Sequence, residues 1–244
     1  MPAYKLLPAG DTALVVEFGD RIDRPLNNLV LALAKRLRDA RIDGITDILP
    51  TFRSLMVQYD PLLISSKQLV ERIGRATQGL RPTEVSGRRW HLPVCYDTQV
   101  APDIAEVAAQ TNFSAAQLIE RHSAITYHVY MLGFLPGQAY MGDVPAELVL
   151  PRRQTPRMKI PAGSLAMATT MTCVFPLETP CGWHLIGRSP VRLWDMSSGL
   201  APLLAPGDVV TFAPISLREY ETLLAKVADG QFRIAPIDVM EAAA

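Results

Sequence analysis

The reading of the fold turns on Tyr127-His-Val-Tyr-Met-Leu132, followed at once by Gly133-Phe-Leu-Pro-Gly137. The first six residues are apolar, aromatic or β-branched, as a strand requires, and the next five hold the glycines and proline of a sharp turn. From here to about residue 215 short apolar runs alternate with Pro and Gly. They include Ser164–Ala168, Met171–Phe175, Trp183–Ile186, Val191–Trp194 and Val209–Phe212. Many short strands between frequent turns predict a sandwich or a closed barrel.

Upstream the rhythm is mixed. Thr12–Phe18 reads as a strand, preceded by a leading strand at Tyr4–Leu7. Leu26, Leu29, Val30, Leu33 and Leu37 fall on one face of a helix over Pro25–Asp39. Ile45–Pro50 and Ser54–Tyr59 read as strands. Ser65 with Gln68 forms a capping box opening a second helix, with Leu69, Val70, Ile73 and Ala76 on its inner face. Two helices over one face of an antiparallel sheet predict a ferredoxin-like α+β unit. The polar, turn-rich stretch 79–88 sets a boundary, giving domains 1–87 and 88–244. Beyond it lie a strand at Arg89–Tyr96 and helices at Pro102–Gln110 and Ser114–Ser123, the second boxed by Ser114 and Gln117. A last helix from Ser216, boxed by Glu219, turns Tyr220, Leu223, Leu224 and Val227 inward.

Composition narrows the function. Of 244 residues 49% are hydrophobic, enough for a sizeable core, and 24 Lys and Arg balance 24 Asp and Glu. A zero balance argues against nucleic acid, whose phosphates demand an excess of cations. No apolar run reaches the ~20 residues of a membrane span and no signal peptide opens the chain, so the expected place is the cytoplasm. Three cysteines, Cys95, Cys173 and Cys181, form neither a disulfide framework nor a CxxC pair. His91, His122, His128 and His184 lack metal-ligand spacing, so no metal is expected. A GxGxxG loop, a Walker phosphate cradle and a GxSxG elbow are all missing. Cys173 and Cys181 sit in the apolar or turn settings of buried, inert thiols.

Three segments carry candidate chemistry. Gly133–Tyr140 is a turn able to aim backbone N–H groups at an anion. Between Leu148 and Val191 the bases Arg152, Arg153, Arg157, Lys159 and Arg188 face one acid, Glu178, a local surplus of four positive charges. Guanidinium forks bind carboxylate or phosphate, and a loop at a barrel mouth is a common ligand site. Gly182 and Gly187 bracket a short strand carrying Trp183, which reads as core or pocket wall, and His184, which reads either as a general acid or base or as a hydrogen-bonded structural histidine. The catalytic candidates are Arg157, His184 and Arg153. The substrate- or anion-binding candidates are Phe134, Gly137, Tyr140, Arg152, Gly163, Ser164, Trp183 and Arg188.

Gly133-Phe-Leu-Pro-Gly137, Pro151-Arg-Arg-Gln-Thr-Pro-Arg157, Ile160-Pro-Ala-Gly-Ser164 and Gly182-Trp-His-Leu-Ile-Gly-Arg188 stand in the order of a known family. The chain resembles the family that holds the 5-oxoprolinase B subunit, allophanate hydrolase subunit 1 and KipI, and that forms part of the carboxyltransferase region of urea carboxylase. The resemblance implies an N-terminal α+β domain followed by a cyclophilin-like β-barrel. It implies a non-autonomous subunit of an enzyme that uses ATP to open 5-oxoproline to glutamate, or of an allophanate hydrolase or urea carboxylase type. It implies partners of two types, with a small amide substrate. One is the 5-oxoprolinase C subunit, KipA or allophanate hydrolase subunit 2 type, and the other is the LamB/YcsF type that serves as the A subunit. In such a site Arg152, Arg153, Arg157 and the Gly163–Ser164 backbone would stabilise charge growing on the amide oxygen. The alternative is a KipI-like inhibitor of sensor histidine kinases. The chain departs from the family pattern at Gln138, at Cys181 and along Ala168–Cys173, where side chains stand at normally bare positions.

Overall fold

A computed structural model describes residues 3–82, 87–195 and 201–237. The chain divides into two units, residues 1–86 and 87–244. The first carries strands β1 (Lys5–Pro8) and β2 (Ala13–Glu17), helix α1 (Arg24–Asp39), strands β3 (Ile45–Pro50) and β4 (Ser54–Tyr59), and helix α2 (Ser66–Ala76). Its sheet runs β1-β2-β4-β3, antiparallel throughout. Inserting β4 between β2 and β3 makes a split β-α-β unit, a feature that the expected ferredoxin-like pattern also has. In that pattern the strand flanking the first comes after the second helix. Here β1 holds that edge and precedes everything else.

Both helices form where caps and periodicity place them. Asp23 Oδ1 accepts the Leu26 N–H at 2.9 Å, Pro25 occupies the first turn, and Leu29, Val30, Leu33 and Leu37 are buried. The Ser65–Gln68 box is made in both directions. Leu69 and Ile73 enter the core, but Val70 is exposed.

The second unit is built on a closed barrel in the order β10-β7-β6-β13-β5-β12-β9. Its strands are β5 (Arg89–Cys95), β6 (Tyr127–Leu132), β7 (Ala139–Gly142), β9 (Ser164–Ala168), β10 (Met171–Val174), β12 (His184–Arg188) and β13 (Val209–Ile215). Among the described strands only β5 and β13 run parallel, in register from Arg89↔Val209 to Cys95↔Ile215. Pro93 and Pro214 are tolerated in these strands because each is unpaired on its other flank at that height. Alternation fills the interior: Ala139 and Met141, Leu165 and Met167, Leu92 and Val94 all join one core. Closure leaves the sheet no free edge.

Outside the barrel β8 (Arg157–Ile160) pairs with β11 (Thr179–Cys181) as a separate ribbon, so Arg157 starts a strand rather than lying in a loop. Helices α3 (Ile104–Gln110), α4 (Ala115–Ala124) and α5 (Leu217–Ala228) complete the unit, with capping boxes at Ser114 and Ser216. Val191–Trp194 forms no strand. Pro190 has no N–H, the Val191 N–H goes to Ser189 Oγ, and the Leu193 carbonyl takes a single bond from Leu203. Only Tyr220 is fully buried on α5, and Leu224 is exposed rather than inward. Among the described residues no helix is long and apolar enough to cross a membrane.

Candidate functional site

Asp103 organises the basic segment. It stands at the head of α3, where its N–H donates to Leu185 O at 3.0 Å and the Leu185 N–H donates back to Oδ2 at 2.7 Å. The same carboxylate takes both prongs of Arg157, Nη1 on Oδ2 at 2.7 Å and Nη2 on Oδ1 at 2.6 Å. Arg153 Nη1 adds a bond to Oδ1 at 3.0 Å and reaches Glu106 Oε2 at 3.2 Å. The Asp103 side chain is only 3% exposed. Burial alone would push its carboxyl up. The hydrogen bonds from Arg157 and Leu185, with the charges of Arg157 and Arg153, outweigh that and hold it below its ordinary value. The Arg157 guanidinium is held above its own ordinary value, first by the bond to Asp103.

Two of the three clustered arginines are therefore neutralised by acids from the head of α3, and Lys159 pairs with Glu178 at 2.8 Å. The local surplus of positive charge read from the sequence shrinks accordingly. Among the described residues Arg152 makes no ion pair, and it lies over the Trp183 ring, 5.9 Å from its centroid. Trp183 meets Tyr140 edge-on, at 6.0 Å between centroids. Arg152, Arg153 and His184 line one cavity of about 350 Å³ with Pro151, Glu106 and Gln110. His184 Nε2 lies 3.0 Å from Pro151 O. A carbonyl only accepts, so Nε2 carries the proton. Nδ1 is buried without a hydrogen-bond partner.

Cys173 and Cys181 are buried. Burial pushes the Cys173 thiol far above its ordinary pKa and also raises Cys181. Gln138 puts Nε2 3.7 Å from Cys173 Sγ and leaves Oε1 buried and unpartnered.

The remaining candidates lie elsewhere. Gly163 and Arg188 line a different groove of about 730 Å³ with Leu177, Trp194 and Leu224. Gly163 has φ +81° and a Cβ there would sit 2.3 Å from Ser189 O, so glycine is required by close backbone approach. Its N–H already donates to Phe175 O, and the Ser164 N–H and Oγ both donate to Pro161 O. The expected oxyanion donors at Gly163–Ser164 are thus engaged inside the protein. Arg188 Nε donates to Ala162 O at 3.0 Å, with its guanidinium 6.0 Å from the Tyr220 ring centroid. Gly137 packs on Trp194, while Phe134, at φ +69° and 68% exposed, tips the hairpin between β6 and β7. That hairpin's N–H groups at Gly133 and Gln138 are likewise bonded, to Gln138 O and Leu135 O.

The structure thus brings together Arg152, Arg153, Arg157, Trp183, His184 and Tyr140, and sets Phe134, Gly137, Gly163, Ser164 and Arg188 apart from them. The sequence reading missed Asp103 and Glu106. An acid opening a predicted helix reads as a cap, and nothing in its spacing indicates arginines fifty and fifty-four positions later.

The family model described as carboxyltransferase domain, subdomain C and D, matches residues 4–204. The chain belongs to this family. Among relatives of this carboxyltransferase-domain protein is the B subunit of 5-oxoprolinase from Bacillus subtilis, 35% identical over 231 residues, covering 89% of this chain and 95% of that one. The crystal structure of TTHA0988 superposes with a TM-score of 0.75 at 33% identity, over 84% of this chain and 40% of that one. The crystal structure of the K. lactis urea amidolyase shares the fold, with a TM-score of 0.79 at 18% identity, over 97% of this chain and 16% of that one. The chain thus spans less than half the length of these two solved chains.

Proposed function

We propose that this carboxyltransferase-domain protein is a non-autonomous subunit of an ATP-dependent amide-processing complex, of the 5-oxoprolinase type. The 35% identity to a 5-oxoprolinase B subunit over nearly the whole of both chains supports the choice of complex. The observation that carries the non-autonomy is the state of the site. Asp103 and Glu106 together balance Arg153 and Arg157, which leaves Arg152 on Trp183 as the cavity's cation without an ion pair among the described residues.

Opening a lactam requires its carbonyl to be activated, and negative charge grows on the oxygen as that happens. Arg152, backed by the Trp183 ring, supplies positive charge at the rim of a cavity of a size for a small cyclic amide. Arg157 and Arg153 are positioning residues: clamped on Asp103, they hold the 151–157 segment against α3 and β12. The Pro151 carbonyl fixes His184 as the Nε2–H tautomer, so a bare lone pair sits at Nδ1. The buried, protonated thiols of Cys173 and Cys181 are not poised as nucleophiles.

Among the described residues, those proposed for this site do not by themselves fit a triphosphate. Two guanidiniums are committed to Asp103, and the Gly163 and Ser164 N–H groups are bonded internally. ATP in this reading is engaged by the assembled complex, with partners of the C-subunit or KipA type and of the LamB/YcsF type. The three free thiols suit a reducing cytoplasm. The split β-α-β core of the first unit supports its ferredoxin-like assignment, and the closed barrel supports the cyclophilin-like one.

The test is co-expression of the full chain with both partner types, followed by assay of ATP-dependent conversion of 5-oxoproline to glutamate. Turnover by the three together and none by this chain alone is expected. Turnover by the isolated chain, or none by a stably assembled complex, overturns the reading.

A further inference from the structure

The first unit carries a feature that the barrel chemistry leaves unexplained. The turn Asp60–Ile64 joins β4 to α2 and displays two adjacent leucines, Leu62 at 92% and Leu63 at 70% exposure. Neither takes part in capping α2. The residue before the Ser65 cap, Ile64, joins Leu69 in the core as a hydrophobic staple does.

The turn is held rigidly. Asp60 Oδ1 accepts the Leu62 N–H at 2.9 Å, and Asp60 O accepts the N–H groups of Leu63 and Ile64 at 3.0 Å. The Asp60 N–H is anchored on Gly44 O at 2.8 Å. A Cβ at Gly44 would lie 2.6 Å from Ile64 Cγ2 and 3.1 Å from Leu63 Cβ, so the loop is seated against bare backbone. Two large apolar side chains presented on a fixed backbone lose little conformational entropy when covered.

Beside the leucines, Leu63 lines a cavity of about 480 Å³ into which Arg41, Arg72 and Arg75 converge. Among the described residues none of these three side chains makes a hydrogen bond or ion pair, although Asp43 and Glu71 line the same cavity. The neighbouring cations are used differently: Arg36 donates to the carbonyls of Ala76, Gln78 and Gly79, and Lys35 pairs with Asp39. Unpaired guanidiniums around rigid apolar knobs match the anchors of a protein–protein interface, where arginine and large apolar groups concentrate the binding energy.

We infer that Leu62, Leu63, Arg41, Arg72 and Arg75 form the docking surface for another subunit of the complex, one that offers an apolar notch ringed by carboxylates. The inference rests on the subunit reading above and adds the face by which this chain is held. Charge complementarity selects the occupant: an acidic protein surface satisfies three forks that the chain itself leaves open.

The experiment uses the full chain co-expressed with the C-subunit-type and LamB/YcsF-type partners, read by size-exclusion chromatography with light scattering and by titration of the separated components. The double variants Leu62→Asp/Leu63→Asp and Arg72→Glu/Arg75→Glu are each expected to weaken association at least tenfold, with unchanged circular dichroism and melting midpoint. Wild-type affinity falls with added NaCl, and the arginine variant loses most of that dependence. Should the leucine pair perturb folding, Leu62→Ser alone carries the same expectation. Assembly of both double variants within twofold of wild type overturns the docking surface while the subunit reading stands. A wild-type dimer that the leucine variant converts to monomer overturns it in favour of a second copy. Failure of the wild-type chain to assemble at all overturns the subunit reading and this surface with it.

Discussion

Asp103 and Arg157, fifty-four residues apart, meet as a two-pronged ion pair with bonds of 2.7 and 2.6 Å. With Arg153 and the Leu185 N–H on the same carboxylate, one acid ties α3, the head of β8 and strand β12 together. Asp103→Ala leaves Arg157 and the buried Leu185 N–H without their acceptor and Arg153 with Glu106 alone. Because Arg153 and Arg157 are 21% and 28% exposed, water recovers part of the loss. The expected destabilisation is about 2–3 kcal/mol by urea unfolding, below the ~3–5 kcal/mol of a fully buried pair. Arg157→Ala is expected to cost more than Arg153→Ala, since it removes two bonds to Asp103 rather than one. The Asp103 carboxyl is held below its ordinary value, so its stabilisation is complete above the unfolded carboxyl pKa near ~4 and is lost as pH falls through the lower folded value. An Asp103→Ala loss that stays unchanged from pH 7 down to pH 2 contradicts this assignment.

His122 gives a second acid-sensitive window, at higher pH. It lies fully buried between the Tyr96 hydroxyl at 3.0 Å and Thr172 Oγ1 at 3.3 Å, stacked on Phe212. Burial pushes its pKa down to about 3. Below the unfolded value near ~6.5 the unfolded chain binds a proton that the folded one refuses. Stability therefore declines by about 1.4 kcal/mol per pH unit from pH ~6.5 toward 3, or about 2 kcal/mol by pH 5. Denaturant midpoints of wild type and His122→Gln measured from pH 7 to 4 check this. The slope is expected to vanish in the variant, and an equal slope in both would assign the effect elsewhere.

Two backbone positions make opposite predictions. Gly163→Ala places a methyl 2.3 Å from Ser189 O at φ +81°, and a loss of more than ~2 kcal/mol is expected. Thr169 is a β-branched residue at φ +53° in the hairpin between β9 and β10. Strain of this kind costs about 1–3 kcal/mol. Thr169→Gly removes it at the expense of a more flexible unfolded chain, so a net gain of about 1 kcal/mol is expected. Calorimetric midpoints moving in the same direction for both variants would refute the backbone argument.

Cys95, Cys173 and Cys181 are all buried and free. Burial raises the pKa of each. Native protein is therefore expected to react with iodoacetamide at least tenfold more slowly than denatured protein, because the thiolate is the reacting species. Turnover by the assembled complex is expected to survive that treatment. Rapid native labelling with loss of turnover would restore a thiol mechanism.

Much of the architecture is encoded within short windows of sequence. The face Leu26, Leu29, Val30, Leu33, Leu37 is helix α1, and the boxes at Ser65, Ser114 and Ser216 mark true helix starts, because capping and periodicity involve neighbours within one or two turns. Strands are less legible: β7, β8 and β11 go unread and Val191–Trp194 forms none, and for those that are read the partners are not evident. The parallel match of β5 with β13 joins residues about 120 apart, and the same apolar runs serve a sandwich or a barrel until the pairing is known.

The candidate site divides along the same line. Local sequence specified which side chains are basic and where glycine must bend the chain. Only the tertiary structure decided that Arg153 and Arg157 are balanced by Asp103 and Glu106 and that the Gly163 and Ser164 N–H groups are already bonded. It also decided that Arg152, of the three clustered arginines, is the one left on an aromatic ring rather than on an acid. A charge count along the chain adds neighbours in sequence, whereas an electric field adds neighbours in space, and at this site the deciding acid comes from fifty residues away.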